Sequence, residues 1–107
     1  RRSSDLHASR PVIYSRGSDS VSVQAIIGQT VFETTDDYNV VIQVRSRDYL
    51  IRADALVIGG AQTLPQRGDR ITEDGHIYES LSIANEPHYR FCDPYRTLLR
   101  IHTKQIG

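Results

Sequence analysis

Residues 64–80, with the sequence LPQRGDRITEDGHIYES, limit the possible folds of this chain more than any other stretch. Pro65 has a fixed φ and no backbone N–H, so it ends whatever element precedes it. Gly68 can adopt a positive φ, and the short side chain of Asp69 can hydrogen-bond to nearby backbone. These three residues predict a turn from which a strand starts.

The same stretch contains a second turn signal at Asp74 and Gly75. Both central residues of a type I′ hairpin turn need a positive φ, and Asp-Gly is a favoured pair there. We therefore predict a β-hairpin in which residues 70–73 pair with residues 76–84. The returning strand is expected to place one set of apolar side chains on a single face, namely Ile77, Leu81 and Ile83.

Alternation of apolar and polar residues predicts further strands along the chain. It is clearest in residues 20–27, after which Gly28 is expected to end the strand. It is longest in residues 40–51, where a slip in phase predicts a β-bulge at residues 46–48. The remaining expected elements are strands at residues 12–14, 30–33, 88–92 and 96–105, and a helical turn within residues 52–58 that is anchored by Leu56 and ended by Gly59 and Gly60.

Strands separated by turn signals at intervals of about 8–12 residues are typical of small all-β folds. We predict a small antiparallel β-sandwich or barrel of about six to eight strands, with at most one or two helical turns. Leu99 and Ile101 are expected to face its core, and a buried charge in Ile101→Asp or Leu81→Asp should unfold the domain. Residues 1–11, RRSSDLHASRP, are almost entirely polar and predict a flexible N-terminal arm before a single β domain at residues 12–107.

Composition restricts the possible partners and compartments. The formal net charge is zero, which argues against bulk electrostatic binding to nucleic acid. The single cysteine, Cys92, cannot form an intramolecular disulfide and fits a protein made in a reducing compartment. No apolar run approaches the roughly 18 residues of a membrane span, so no membrane partner is expected.

The sequence contains no motif that points to catalysis, a metal or a cofactor. There is no G-x-S-x-G elbow, and Gly59 and Gly60 are not followed by the Lys-Ser/Thr pair of a phosphate-binding loop. Arg67, Gly68 and Asp69 spell an adhesion tripeptide but are explained by the turn. Four side chains could approach one another as a metal site, namely His88, Cys92, Asp93 and His102. Their spacing along the chain matches no zinc-binding motif. The prediction is a protein that is not an enzyme and needs no cofactor; a small hydrolase is kept only as a rival.

An aromatic and basic cluster near the C-terminus supports an alternative function. Tyr89, Phe91 and Tyr95 lie close in sequence to Arg90, Arg96 and Arg100. Such residues form the stacking platform of OB-folds that bind single-stranded nucleic acid. An OB-like nucleic-acid-binding module is therefore the alternative function. If these residues bind nothing, they are the edge of the core with arginines in solvent.

The hairpin also resembles a known family. The pattern Pro65-x-x-Gly68-Asp69-x-Ile71, followed by Tyr78-Glu79, resembles the hairpin of bacteriophage head–tail joining proteins, the small β-rich head-completion or stopper-type subunits of the virion neck. Three more segments fit such a phage-encoded group: residues 46–51 (SRDYLI), 93–96 (DPYR) and 100–104 (RIHTK).

The resemblance implies a structural protein made in the host cytoplasm and located in the virion, in the neck between head and tail. It implies a homo-oligomeric ring that completes and seals the DNA-filled head, docks the tail, and lets genomic DNA pass through its lumen. Its neighbours are expected to be the portal or adaptor protein and tail proteins. Because residues 52–67 are short for a channel-plugging loop, a tail-completion or minor tail protein is the alternative.

Two polar segments are the expected contacts with neighbouring subunits, because the predicted core does not need them. An isolated subunit is expected to be a monomer or weakly associated. Removing residues 1–10, or replacing residues 61–66 by a Gly-Ser linker, should keep the melting temperature within a few degrees but prevent neck assembly. The interface candidates are Arg1, Arg2 and Arg10 in the arm, and Gly59, Gly60, Gln62, Leu64, Gln66 and Arg67 in the loop.

Overall fold

A computed structural model of the chain describes residues 9–83 and 86–107. Within them, one turn of 3-10 helix at Ala53–Ala55 interrupts a chain that otherwise forms strands and turns. The strands are β1 (Ser9–Arg16), β2 (Asp19–Thr35), β3 (Val41–Arg52), β4 (Val57–Ile58), β5 (Ala61–Gln62), β6 (Arg70–Glu73), β7 (His76–Ser80), β8 (Tyr89–Phe91) and β9 (Leu98–Gln105).

Six of these strands close into an antiparallel barrel. Hydrogen bonds link them in the order β3-β2-β1-β6-β7-β9, and β9 pairs back onto β3. The short strand β8 pairs with β9, while β4 and β5 form a separate small hairpin. The all-β prediction is confirmed, and of the two architectures it allowed the chain adopts the barrel.

The barrel interior is filled by alternate side chains of its strands. Leu99 and Ile101 of β9 are fully buried, and so is Leu56 after the 3-10 turn, as expected. Burying each side chain of this size stabilises the fold by about 1.5–3 kcal/mol. The other fully buried large side chains are Val12, Tyr14, Tyr49, Ile51 and Ile71.

The hairpin β6–β7 has the turn that its sequence predicts. Asp74 and Gly75 both have positive φ, at 51° and 81°, and Glu73 pairs with His76 across the turn. The predicted face of the returning strand is only partly right, however. β7 ends at Ser80, and within it Tyr78 and Ser80 are buried, whereas Ile77 is only half-buried. Leu81 and Ile83 lie beyond the strand, and of these two Ile83 is buried as expected.

The burial of Tyr78 explains why the predicted and observed faces differ. Tyr78 packs its ring edge-on against Tyr49 inside the barrel, with ring centroids 5.7 Å apart. Ile77 points to the other face, where its backbone bonds to the C-terminal residues Ile106 and Gly107. An amphipathic tyrosine thus occupies the core position that the simpler apolar pattern assigned to isoleucine.

β2 and β3 form a long hairpin in one unbroken register, from the pair Ala25–Ile51 to the pair Thr35–Val41. Gly28 therefore does not end a strand, and no bulge interrupts residues 46–48, so both predictions are wrong. The apparent slip in phase arises because β3 is covered on both faces. Tyr49 and Ile51 face the barrel interior, while Ser46 and Asp48 are buried on the opposite face. A strand buried on two faces loses the alternation that predicts its phase.

The first strand begins earlier than the sequence predicts. Ser9, Arg10 and Pro11, expected in the flexible arm, pair with Ile26, Ala25 and Gln24 of β2. These residues are therefore part of the barrel. The Arg10 side chain also forms an ion pair with the buried carboxylate of Glu73. The rest of the expected arm, residues 1–8 with Arg1 and Arg2, lies outside the described residues.

The two adjacent glycines have a different role from the one predicted. Gly59 and Gly60, with φ of 62° and 84°, form the turn of the hairpin β4–β5 instead of simply ending the helical turn. Leu56 and Thr63 close this hairpin through a backbone hydrogen bond of 3.0 Å. The expected irregular loop is therefore partly regular.

Candidate functional site

Asp69 is buried at the junction between the loop that precedes β6 and strand β1. Its carboxylate accepts two hydrogen bonds from Arg16, at 2.9 and 2.8 Å, one from the Tyr14 hydroxyl, and one from the backbone N–H of Gln66 at 2.9 Å. Burial alone would raise the pKa of Asp69, but these donors lower it below its ordinary value. The predicted turn residue thus binds the loop to β1, and its burial leaves no adhesion motif on the surface.

Glu73 is a second buried carboxylate that the sequence did not single out. Arg47 and Arg10 donate to its two oxygens at 2.6 and 2.8 Å, and Tyr49 donates to one of them at 2.8 Å. Burial opposes ionisation, yet these donors lower the pKa of Glu73. The carboxylate links β6 to β1 and β3.

Asp48 is the third, and it lies on the outer face of β3. Arg100 donates to it at 2.6 Å, Ser46 at 2.5 Å and His102 at 2.9 Å, and Thr30 completes the set. Burial would raise the pKa of Asp48, but these four donors hold it far below its ordinary value. All three carboxylates are ionised and saturated with donors, so their chemistry is that of structural ties and not of general acid–base catalysis.

The residues considered as a metal site are not brought together. The His88 ring bonds to the carbonyl of Pro65 at 2.9 Å, Asp93 accepts from the backbone of Thr97 and Leu98, and Cys92 is exposed. His102 belongs to the Asp48 cluster. Within residues 9–83 and 86–107 no three His, Cys, Asp or Glu side chains are grouped to hold a metal.

The aromatic platform of the alternative function is not assembled either. Tyr89 and Phe91 pack against the barrel core, and Arg100 is committed to Asp48. Tyr95 stands alone, with 84% of its surface exposed. The described residues of this region therefore form no row of exposed rings on which single-stranded nucleic acid could stack.

The loop of the interface candidates forms the wall of an open groove of about 490 Å³. Leu64 is half-exposed there, and the other exposed candidates of this loop are Gly59, Gly60, Gln62, Gln66 and Arg67. The loop is nevertheless attached to the barrel. Arg16 donates to the Leu64 carbonyl at 2.9 Å, Ser80 donates to the Gln66 carbonyl at 2.6 Å, and Pro65 is buried. These contacts lead us to expect that replacing the loop affects the stability of the barrel, in contrast to what its polar sequence predicts.

A second surface was missed by the sequence analysis. Among the described residues, ten large apolar side chains are exposed, and five of them lie in the far end of the β2–β3 hairpin: Val31, Tyr38, Val40, Val41 and Ile42. The uninterrupted apolar run of residues 40–42 could have indicated this surface, but its pattern predicts only the start of the strand at residues 40–51.

A family model described as phage head-tail joining protein matches residues 1–107, which is the whole chain. The chain belongs to this family. No curated protein and no solved structure matches it. The resemblance inferred from the hairpin is therefore confirmed at the level of the family.

Membership makes this head-tail joining protein a component of the virion at the junction of head and tail, in contact with head and tail proteins. The family is structural and is not typically enzymatic. No helix within the described ranges is both long and apolar enough to cross a membrane.

Proposed function

We propose that the protein is made in the host cytoplasm and forms a homo-oligomeric ring in the phage neck. The ring completes and seals the DNA-filled head, docks the tail, and lets genomic DNA pass through its lumen. The head-side neighbour is the portal or adaptor protein, and the protein performs no catalysis and needs no cofactor. The match of the whole chain to the head-tail joining family is the observation that carries this proposal.

The shape of the subunit supports a role between two different neighbours. β2 begins at Asp19, beside the β4–β5 turn, where a side chain added at Gly59 would lie 3.8 Å from the Asp19 carboxylate. It is 17 residues long and ends at the far end of the β2–β3 hairpin, and the longest dimension of the molecule is 47 Å. The two ends differ, because the loop region is mostly polar, whereas the hairpin end exposes Tyr38 and several aliphatic side chains beside acidic ones. A joining subunit needs two such distinct surfaces.

The charge of the chain fits a conduit for DNA. Its formal net charge is zero, and several arginines are held by buried carboxylates instead of standing free. A polyanion is retained by free basic side chains, whose phosphate contacts release counterions. A neutral ring would let DNA pass without holding it.

The decisive experiment is deletion of the gene from the phage. We expect tail-less heads that lose their DNA, together with separate tails, by electron microscopy, and tailed infectious particles when the wild-type gene is supplied in trans. An Ile101→Asp gene, whose product should not fold, is the matched control and should not restore joining. Tailed infectious particles from the deletion phage would refute the proposed role.

The same deletion separates the two positions in the neck. Loss of DNA from the tail-less heads is expected for a head-completion ring. Heads that stay sealed, together with tails that lack their head-proximal end, would assign the protein to tail completion instead. Nuclease sensitivity of the packaged DNA measures this difference directly.

A further inference from the structure

The end of the β2–β3 hairpin projects from the barrel. Beyond the pair Gln29–Arg47, where β3 last pairs with β9, six further pairs run from Thr30–Ser46 to Thr35–Val41. Within the described residues, no third strand pairs with them. An isolated two-stranded ribbon is only marginally stable in water, so this projecting end gains from a partner.

The turn at its tip holds one aromatic side chain in solvent. The Asp36 carboxylate accepts from the backbone N–H groups of Tyr38, at 2.8 Å, and Val40, at 2.9 Å, and Asn39 has a positive φ of 62°. Tyr38 is 86% exposed. Val40, Val41 and Ile42, which follow it, are also exposed, so apolar side chains reach solvent on both faces of the hairpin end.

A cavity of about 200 Å³ lies beside the base of the same hairpin. Phe32 and Pro87 give it apolar walls, Arg90 lies at its exposed side, and His102 closes it. Arg90 has no ion-pair partner among the described residues. The cavity has the size of one large side chain.

His102 presents an unused hydrogen-bonding atom there. The residue is 4% exposed, and its Nδ1 lies 2.9 Å from an oxygen of the Asp48 carboxylate. Because an ionised carboxylate only accepts, Nδ1 donates to Asp48. The other ring nitrogen, Nε2, has no hydrogen-bond partner among the described residues, and a buried polar atom without a partner is unfavourable.

We propose that Tyr38 of one copy of this chain inserts into the cavity of a second copy, where its hydroxyl donates to His102 Nε2. The ring would pack between Phe32 and Pro87. Asp37, exposed beside Tyr38, would then face Arg90. This contact rests on the proposed homo-oligomeric ring and names its interface.

The occupant must come from another copy. Along an extended strand, the six residues from Phe32 to Tyr38 place the tip roughly 20 Å from the cavity, so a chain cannot insert its own Tyr38. The tip carries Glu33, Asp36 and Asp37, and the cavity is lined by one basic residue, Arg90, and one acidic residue, Glu86. Asp37 can therefore serve as the missing ion-pair partner of Arg90. Because tip and cavity are different surfaces, the contact is head-to-tail, the type that closes into rings.

Tyr95 provides a matched control. It is 84% exposed, close to the value for Tyr38, and it also sits in a turn stabilised by an aspartate, Asp93, and containing a positive φ, at Arg96. It differs in being followed by the polar residues Arg96 and Thr97 and not by exposed aliphatic ones. Single exposed aromatic residues are ordinary on a protein surface, so Tyr95 is not expected to be an anchor.

Cysteine cross-linking tests the contact. In a Cys92→Ser background, Tyr38→Cys combined with Pro87→Cys should give a ladder of disulfide-linked oligomers under oxidation, both in concentrated purified protein and in assembled particles. Tyr95→Cys combined with Pro87→Cys should give none. Absence of the ladder in both samples, or an equal ladder from the control pair, would overturn the proposal.

Sedimentation measurements test the chemistry of the contact. Tyr38→Ala should weaken self-association at least tenfold, Tyr38→Phe about fivefold through loss of the hydroxyl, and Tyr95→Ala not at all. Asp37→Arg or Arg90→Glu should each weaken it, and the double variant should recover it. A Tyr38→Ala variant that associates like Tyr95→Ala would contradict the contact.

The gene-deletion phenotype keeps this inference separate from the proposed function. If the deletion phage produces unjoined heads and tails but the 38–87 pair does not cross-link, the joining role holds and the interface lies elsewhere. If the deletion phage is tailed and infectious, the joining role itself fails.

Discussion

Single buried side chains decide much of the stability of this barrel. Asp69 is 3% exposed and accepts from Arg16, Tyr14 and the backbone of Gln66, so it joins β1 to the loop before β6. Asp54, in contrast, forms an equally bidentate pair with Arg52 at the surface. The two aspartates allow the same chemical change to be made in two environments.

We predict that Asp69→Asn destabilises the protein by about 3 kcal/mol, because Arg16 and Tyr14 lose their charged acceptor in a buried site. Asp54→Asn should leave the melting temperature nearly unchanged, because exposed ion pairs add little. Chemical denaturation of both variants measures the difference. Equal losses would show that burial does not set the strength of these ties.

The three buried carboxylates also predict a pH dependence. The pKa values of Asp48, Asp69 and Glu73 are all lowered in the folded protein, so the unfolded chain takes up protons first as the pH falls. Their stabilisation is complete above the ordinary carboxyl pKa values of about 4 and is lost progressively below them.

We expect the unfolding free energy to be flat near neutral pH and to fall steeply below about pH 4. The slope should be smaller in Asp69→Asn, which lacks one of the three groups. Urea unfolding followed by fluorescence between pH 7 and pH 2 tests this. A stability that rises on acidification would contradict the assigned ionisation states.

At the scale of elements, β9 is the strand that closes the barrel, because it pairs with β3 on one side and with β7 and β8 on the other. Its fully buried Ile101 should not tolerate a charge, and Ile101→Asp is predicted to unfold the domain. Leu81→Asp was expected to do the same, but Leu81 is only half-buried beyond the end of β7. We now expect it to fold with a lowered melting temperature, measured by circular dichroism.

Replacement of residues 61–66 by a Gly-Ser linker tests the loop. It should now lower the melting temperature clearly, because it removes buried Pro65 and the β5 half of the small hairpin. A Gly-Ser replacement confined to Gln62 and Thr63 is the milder comparison and should cost less. If the full replacement melts at the same temperature as the wild type, the barrel does not need this loop, as its composition predicts.

The sequence could predict those parts of the fold that depend on residues close together in the chain. The turn at Asp74 and Gly75 is determined by two residues that must both adopt a positive φ, and it was found with the correct bounds for β6. The phase of β3 was missed because its burial on two faces depends on strands far away in the chain. The same reason hid Glu73 and Asp48, whose arginine partners lie 63, 26 and 52 residues away in sequence.

The functional surfaces show the same difference between features that depend on local sequence and features that depend on the folded structure. The family could be inferred from motifs spread along the chain, because the identity and order of residues are read directly from the sequence. The exposed end of the β2–β3 hairpin could not, because exposure depends on how far the hairpin extends beyond β9. An apolar strand segment has the same sequence pattern whether it is buried or projects into solvent.

At the scale of the whole molecule, the barrel and its attachments can be separated experimentally. β1 begins at Ser9, and Arg10 binds Glu73, so the truncation that spares the barrel removes residues 1–8 and not residues 1–10. Removing residues 1–10 should destabilise the fold, since it takes away two strand pairs and one of the ties of a buried carboxylate.

We predict that the protein lacking residues 1–8 has a melting temperature within a few degrees of the full-length value but does not restore tailed particles to a deletion phage. The reason is that this segment is polar and carries Arg1 and Arg2, and arginine is enriched where proteins contact one another. Arg1→Ala combined with Arg2→Ala at full length is the matched variant, and it separates loss of the two charges from loss of the chain. If the truncated protein gives tailed, infectious particles, residues 1–8 are not a contact, and joining must rely on the hairpin end and the loop groove of the barrel itself.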